Sequence, residues 1–183
     1  MDRDRLLHLL AERSFQRGSF ALASGVRSHF YIDARLTTMS PEGLRLIGRL
    51  GYRAIQARGW NPDSVGGLTL GADPVAYAIA YFSSMTDKPM RAFTVRKERK
   101  DHGTGRLIEG PFLSQDTCVV VEDVITTGAS AVRAISLIRE AGASVAGVLA
   151  IVDREEGGSA EIEKAGVPVV SLTYVSELAR LAS

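Results

Sequence analysis

The chain has 183 residues, enough for one domain of ordinary size with a full core. Its 22 Lys and Arg balance 21 Asp and Glu to a net charge of +1, which speaks against nucleic acid or any other bulk polyanion as a partner. The single Cys118 excludes a disulfide framework and a cysteine-based metal cluster, and no run of about 18 apolar residues occurs, so the sequence predicts a soluble, cytoplasmic protein with no membrane partner.

Leu6, Leu7 and Leu10 share one helical face over residues 3 to 16, and residues 19 to 33 alternate around Gly18 and Gly25 like a hairpin. Together these predict a small N-terminal hood over residues 1–38. Ser40 and Pro41 supply an N-cap and a first-turn proline for a helix reaching about Arg58, with Met39 and Leu44 spaced as a hydrophobic staple. A strand follows near Val65 to Leu70. Asp73 and Pro74 read as a second cap and first-turn proline, opening a helix that carries Val75, Ile79 and Phe82. Strands are then expected near Met90 to Val95, Thr117 to Val121, Ser144 to Val152 and Val167 to Leu172. A helix bearing Val132, Ile135, Ile138 and Ala141 fills the interval before Gly142, and the residues after about 158 leave room for one strand and a closing helix. Such alternation implies an α/β domain spanning 1–183, its core over about 39–183 a mostly parallel sheet flanked by helices, with ligands at the carboxyl ends of the strands.

The run Val119 to Ser130 carries the chemistry. Three β-branched residues lead to the acidic pair Glu122 and Asp123, then to Val124, Ile125, Thr126, Thr127, Gly128, Ala129 and Ser130 at the head of a helix. The unpaired amides of a helix's first turn favour a phosphate dianion, and Thr126, Thr127 and Ser130 add hydroxyl donors. Two carboxylates would repel that phosphate, but they can accept hydrogen bonds from vicinal ribose hydroxyls and sit beneath a sugar that becomes cationic. A second segment, Arg96 Lys97 Glu98 Arg99 Lys100 Asp101 His102 Gly103 Thr104 Gly105, has no apolar periodicity and reads as a surface loop, spanning about 96–110.

The first of these runs resembles the donor-binding signature of type I phosphoribosyltransferases. The second is similar to the catalytic loop of one branch, the orotate phosphoribosyltransferases, whose pattern is Arg-Lys, two residues, Lys, one residue, His-Gly. The resemblance implies transfer of ribose 5-phosphate from 5-phospho-α-D-ribose 1-diphosphate (PRPP) to orotate, giving orotidine 5′-monophosphate and pyrophosphate on the route to UMP. It implies that Arg96, Lys97, Lys100, His102 and the residues Glu122 to Ser130 bind the donor, with Lys100, His102 and Asp123 catalytic. It also implies a homodimer with shared active sites, since in that branch the loop reaches the neighbouring subunit. Mg²⁺ is expected on the donor's own oxygens and on water, with no protein metal site. Ser28 to Asp33 resembles the family's aromatic segment, so Phe30 or Tyr31 is expected to stack on the base, beside Thr126. Arg154, after the strand ending at Val152, resembles the arginine that holds orotate. The chain departs from many relatives in having Ala23 and Asp73 near positions where those carry lysines, which shifts the expected burden to backbone, Mg²⁺ and loop cations. Two alternatives remain open: a purine-type phosphoribosyltransferase, which has no need of Arg154, and a nucleic-acid-binding regulator on the same fold.

Overall fold

A computed structural model describes residues 1–21, 27–98 and 107–182. The helix α1 (Asp2–Arg13) leads into an antiparallel pair, β1 (Phe15–Ala21) and β2 (Arg27–Ile32), followed by the short α2 (Arg35–Thr38). Next come α3 (Pro41–Ala57), β3 (Ser64–Leu68), α4 (Ala72–Ser83), β4 (Arg91–Val95), β5 (Ile108–Glu109) and β6 (Thr117–Ile125). The chain continues through α5 (Ala129–Glu140), β7 (Ser144–Asp153), α6 (Gly158–Lys164), β8 (Val169–Tyr174) and α7 (Val175–Leu181).

Six strands form one sheet in the order β5-β4-β3-β6-β7-β8, parallel except for β5, which runs against β4. The near-unbroken apolar run of β6 is what a strand covered on both faces requires. Val119 and Val121 pack on one face into a core shared with Leu46, Ile47, Val75 and Ile79 of α3 and α4. Cys118 and Val120 pack on the other with Ala131, Ile135 and Ile138 of α5. Leu6, Leu9, Leu10, Phe15 and Ile32 join the first of these cores, so the hood is packed onto the sheet domain through shared apolar burial.

Several expected boundaries shift. α3 begins as expected, with the Ser40 hydroxyl accepting from the Gly43 amide at 3.1 Å and Pro41 in the first turn. Asp73 is not a cap: α4 starts at Ala72 behind Gly71, and the Asp73 side chain turns to partners outside its helix. β6 runs on through Glu122 and Asp123 to Ile125 instead of ending at Val121, because Glu122, Val124 and Ile125 stay laddered to β7. The stretch after residue 158 holds α6 as well as the expected strand and closing helix, and the short α2 and β5 were not foreseen.

Chain order places β4 on one side of β3 and β6 on the other. Connections therefore leave the carboxyl ends of β3 and β6 in opposite directions, opening a crevice between them. The acidic pair lies at its edge.

Candidate active site

One cavity of about 330 Å³ occupies that crevice. Tyr31, Asp33 and Arg35 line it from the hood, Thr69, Leu70 and Gly71 from the turn after β3, and Lys97 from beyond β4. Glu122, Asp123, Val124, Thr126 and Ser130 form the β6–α5 side, and Arg154 closes it from the end of β7. A smaller cup is shaped by Glu122 and the run from Val124 to Ala131, so it takes in Ile125, Thr127, Gly128 and Ala129.

The cup exists because of how β6 turns into α5. Gly128 takes a left-handed conformation, φ 79°, as the residue preceding the helix. A side chain there would be strained, and its Cβ would lie 2.5 Å from the carbonyl oxygen of Gly158. The start of α6 therefore presses directly on the turn. The first-turn amides of α5, not consumed by its own ladder, face this concavity together with the Thr127 and Ser130 hydroxyls.

Glu122 is 6% exposed, and its Oε1 is a buried oxygen with no hydrogen-bond partner among the described residues. Burial, then the neighbouring Asp123 charge, pushes its carboxyl up to about 8. Asp123 is raised too, chiefly by burial, although its Oδ1 accepts from the Val124 amide at 2.8 Å. Gly71 packs against the Asp123 carboxylate so closely that any Cβ would collide with it. A buried and a half-buried carboxylate with spare acceptor capacity, beside an anion cup, suit a ligand that brings several hydroxyl donors and a phosphate.

At the opposite wall Arg154 is 7% exposed. Its guanidinium lies 4.8 Å from the centre of the Phe30 ring. Nε and Nη2 both donate to one oxygen of Glu156, at 3.0 and 2.8 Å, and Nη2 reaches the Ser28 hydroxyl at 3.5 Å. Asp153 anchors the segment, accepting from the Glu155 amide at 2.7 Å and from the Ser159 hydroxyl at 2.5 Å. The two hood aromatics part company. Phe30 stacks on Phe15 with centroids 5.7 Å apart, while Tyr31 is 40% exposed and lines the cavity.

Thus Glu122, Asp123, Thr126, Ser130, Lys97, Tyr31 and Arg154 converge as the sequence suggested. Arg96 does not line the cavity; its Nε pairs with Glu109 of β5 at 2.9 Å. Lys100 and His102 lie outside the described residues, as does Ala23. Sequence reasoning missed Arg35 as a cavity residue. Its side chain donates to both oxygens of Asp33, at 2.8 and 3.0 Å, and holds that carboxyl below its ordinary value. An aspartate two residues before an arginine at a helix start was the available signal.

Residues 38–170 match the family model for the phosphoribosyl transferase domain. Over 97% of this chain and 98% of the relative, the sequence is 48% identical to the orotate phosphoribosyltransferase of Aquifex aeolicus. The chain belongs to the orotate phosphoribosyltransferase family. Among solved structures, the Mycobacterium tuberculosis H37Rv orotate phosphoribosyltransferase in complex with PRPP is 37% identical, with a TM-score of 0.84, covering 98% of this chain and 99% of that one. The orotate phosphoribosyltransferase of Aeropyrum pernix is 32% identical with a TM-score of 0.81, covering 94% and 95%. An adenine phosphoribosyl transferase from Trypanosoma brucei, 16% identical with a TM-score of 0.67, shares the fold. The α/β fold expected of an orotate phosphoribosyltransferase is therefore the fold this chain has.

Proposed function

We propose that the protein transfers ribose 5-phosphate from PRPP to orotate, releasing pyrophosphate and forming orotidine 5′-monophosphate for pyrimidine nucleotide synthesis. The observation that carries this is the buried, unpartnered Glu122 Oε1 set between an anion cup and Arg154 within one crevice. The 5′-phosphate fits the α5 cup, and the ribose hydroxyls fit Glu122 and Asp123. Arg154, at the end of the neighbouring strand β7, offers a guanidinium fork to the orotate carboxylate, and Tyr31 offers a ring face to the pyrimidine. The reading needs no protein nucleophile: rate comes from holding donor and base in line and from opposing the charge that develops. Glu122 and Asp123 sit where they stabilise a cationic ribose, while Lys97, Lys100 and His102 serve the departing diphosphate.

Among the described residues no group of three or more His, Cys, Asp or Glu is arranged to hold a metal. The carboxylate and hydroxyl oxygens of Glu122, Asp123, Thr126 and Ser130 in the cavity suit Mg²⁺ carried on the donor's oxygens and water, with Asp123 accepting from such a water. When bound, the ion neutralises diphosphate charge and so eases its departure.

The reading further takes residues 1–183 as one domain with a hood, loop 96–110 as the catalytic loop, and the enzyme as a homodimer with shared sites. A cytoplasmic location without a membrane or nucleic-acid partner completes it; among the described residues no helix is long and apolar enough to cross a membrane.

Specificity is tested by incubating the protein with PRPP, Mg²⁺ and an equimolar mixture of orotate, uracil, hypoxanthine and adenine, then separating the nucleotides. Orotidine 5′-monophosphate alone is expected. A purine nucleotide in its place would overturn the assignment of Arg154 and keep the donor site.

A further inference from the structure

The turn from Thr69 to Gly71 forms one wall of the cavity and faces Asp123, yet it carries no charged side chain. What holds it is a carboxylate pointing the other way. Asp73, in the first turn of α4, accepts from the Thr69 hydroxyl on Oδ2 at 2.7 Å and from the Thr94 hydroxyl on Oδ1 at 2.9 Å. Thr94 has one hydroxyl proton and gives it to Asp73, so the Tyr77 hydroxyl 3.0 Å away must donate to Thr94. Protons therefore run Tyr77 to Thr94 to Asp73, with Thr69 donating from the other side. The Thr69 amide is pinned as well, donating to the Val95 carbonyl at 2.8 Å. The backbone of Thr69 is thus tied directly to β4, and its side chain is tied to Asp73 of α4, which Thr94 links to β4 in turn.

A carboxylate beside a diphosphate subsite would weaken binding by repulsion if it faced the ligand. Asp73 does not line the cavity, and each of its oxygens is engaged by a hydroxyl. We propose that Asp73 is a positioning residue for the diphosphate end of the donor, clamping the 69–71 turn between β3 and β4 through Thr69 and Thr94. The turn then presents the backbone of Leu70 and Gly71, and the amide of Ala72 at the start of α4, in one fixed arrangement, while the Asp73 amide donates to the Leu70 carbonyl at 3.3 Å and braces the turn from within. Preorganised backbone donors lose little freedom on binding, which is how such a wall can serve an anion without a cation of its own.

The inference rests on the proposed donor, so its test reads binding as well as turnover. Calorimetric titration of wild type, Asp73→Ala, Asp73→Asn and Thr94→Val with Mg²⁺ and pyrophosphate is set beside KM for PRPP and for orotate. Asp73→Ala is expected to weaken pyrophosphate binding and raise the PRPP KM by about tenfold, the size expected when hydrogen bonds to a charged group are lost. The orotate KM should stay within about twofold, since that subsite lies across the crevice. Thr94→Val should move the same two quantities by a smaller factor, and it decides the matter if Asp73→Ala fails to fold. Asp73→Asn, which keeps an acceptor and the side-chain shape, should fall between wild type and Asp73→Ala. Pyrophosphate affinity unchanged in Asp73→Ala, tighter binding by Asp73→Asn, or equal factors on both substrates would each overturn the proposal. Because pyrophosphate binding is measured directly, a wild-type protein that binds it without consuming orotate would count against the proposed reaction and leave Asp73 to be judged.

Discussion

Glu122 gains nothing from its surroundings until a ligand arrives: its carboxyl is buried, raised to about 8 and short of a partner at Oε1. Such a group is kept at a cost in stability for what it does on binding. Glu122→Gln should lower kcat by about 100-fold, the loss typical of removing one preorganised electrostatic contact, while the thermal midpoint stays level or rises. Calorimetric melting beside steady-state rates checks both. Glu156 has the opposite character, since its carboxylate occupies the Arg154 fork that the proposed base would need. Glu156→Gln should therefore lower the orotate KM several-fold with the PRPP KM unmoved, read from initial rates at varied orotate. The acidic pair was legible in sequence because its meaning is local: strand, two carboxylates, Thr-Gly, helix. Asp73 was misread as a cap because its partner Thr94 is 21 residues away on another strand, beyond what a local pattern encodes.

At the scale of elements, the β6–α5 junction bears the proposed phosphate cup, and its geometry depends on one left-handed residue pressed by α6. Gly128→Ala places a side chain at φ 79° against Gly158 and should destabilise the fold by about 1–3 kcal/mol while weakening donor binding, measurable by denaturant unfolding and titration. On the same strand Cys118 is buried, and desolvation pushes its thiol from 9.0 to about 11. The folded chain thus keeps a proton that the unfolded chain loses first. This contribution to stability is whole below pH 9.0 and lost as pH rises through about 11, and at pH 8 a thiol reagent should label Cys118 only on unfolding. The helices with clear apolar faces, α3 and α5, were readable from their period. α6 was not, because seven residues behind Gly157 give too little periodicity. β6 was read as ending early because carboxylates break an apolar pattern, although the ladder to β7 continues beneath them.

For the whole molecule, the sheet order makes the crevice and the hood roofs it. The proposed donor residues come from β6 and α5 and the proposed base residues from β2 and the end of β7; pairing of β6 with β7 brings Arg154 to the acidic pair, and the packing of α1, β1 and β2 onto the first core adds Tyr31. The strand order behind this was hidden in the sequence, since alternation of strands and helices does not say which strands are neighbours. If the catalytic loop serves the partner's site, mixing inactive Lys100→Ala and Asp123→Asn proteins should restore about one quarter of wild-type activity through heterodimers with one intact site. No recovery after subunit exchange, verified by separable tags, would mean that each chain serves its own site. The most direct test of the central claim is the fall in orotate ultraviolet absorbance with purified protein, PRPP and Mg²⁺. The account predicts a decrease that requires both donor and metal and produces pyrophosphate in equal amount; constant absorbance with all components present would contradict it.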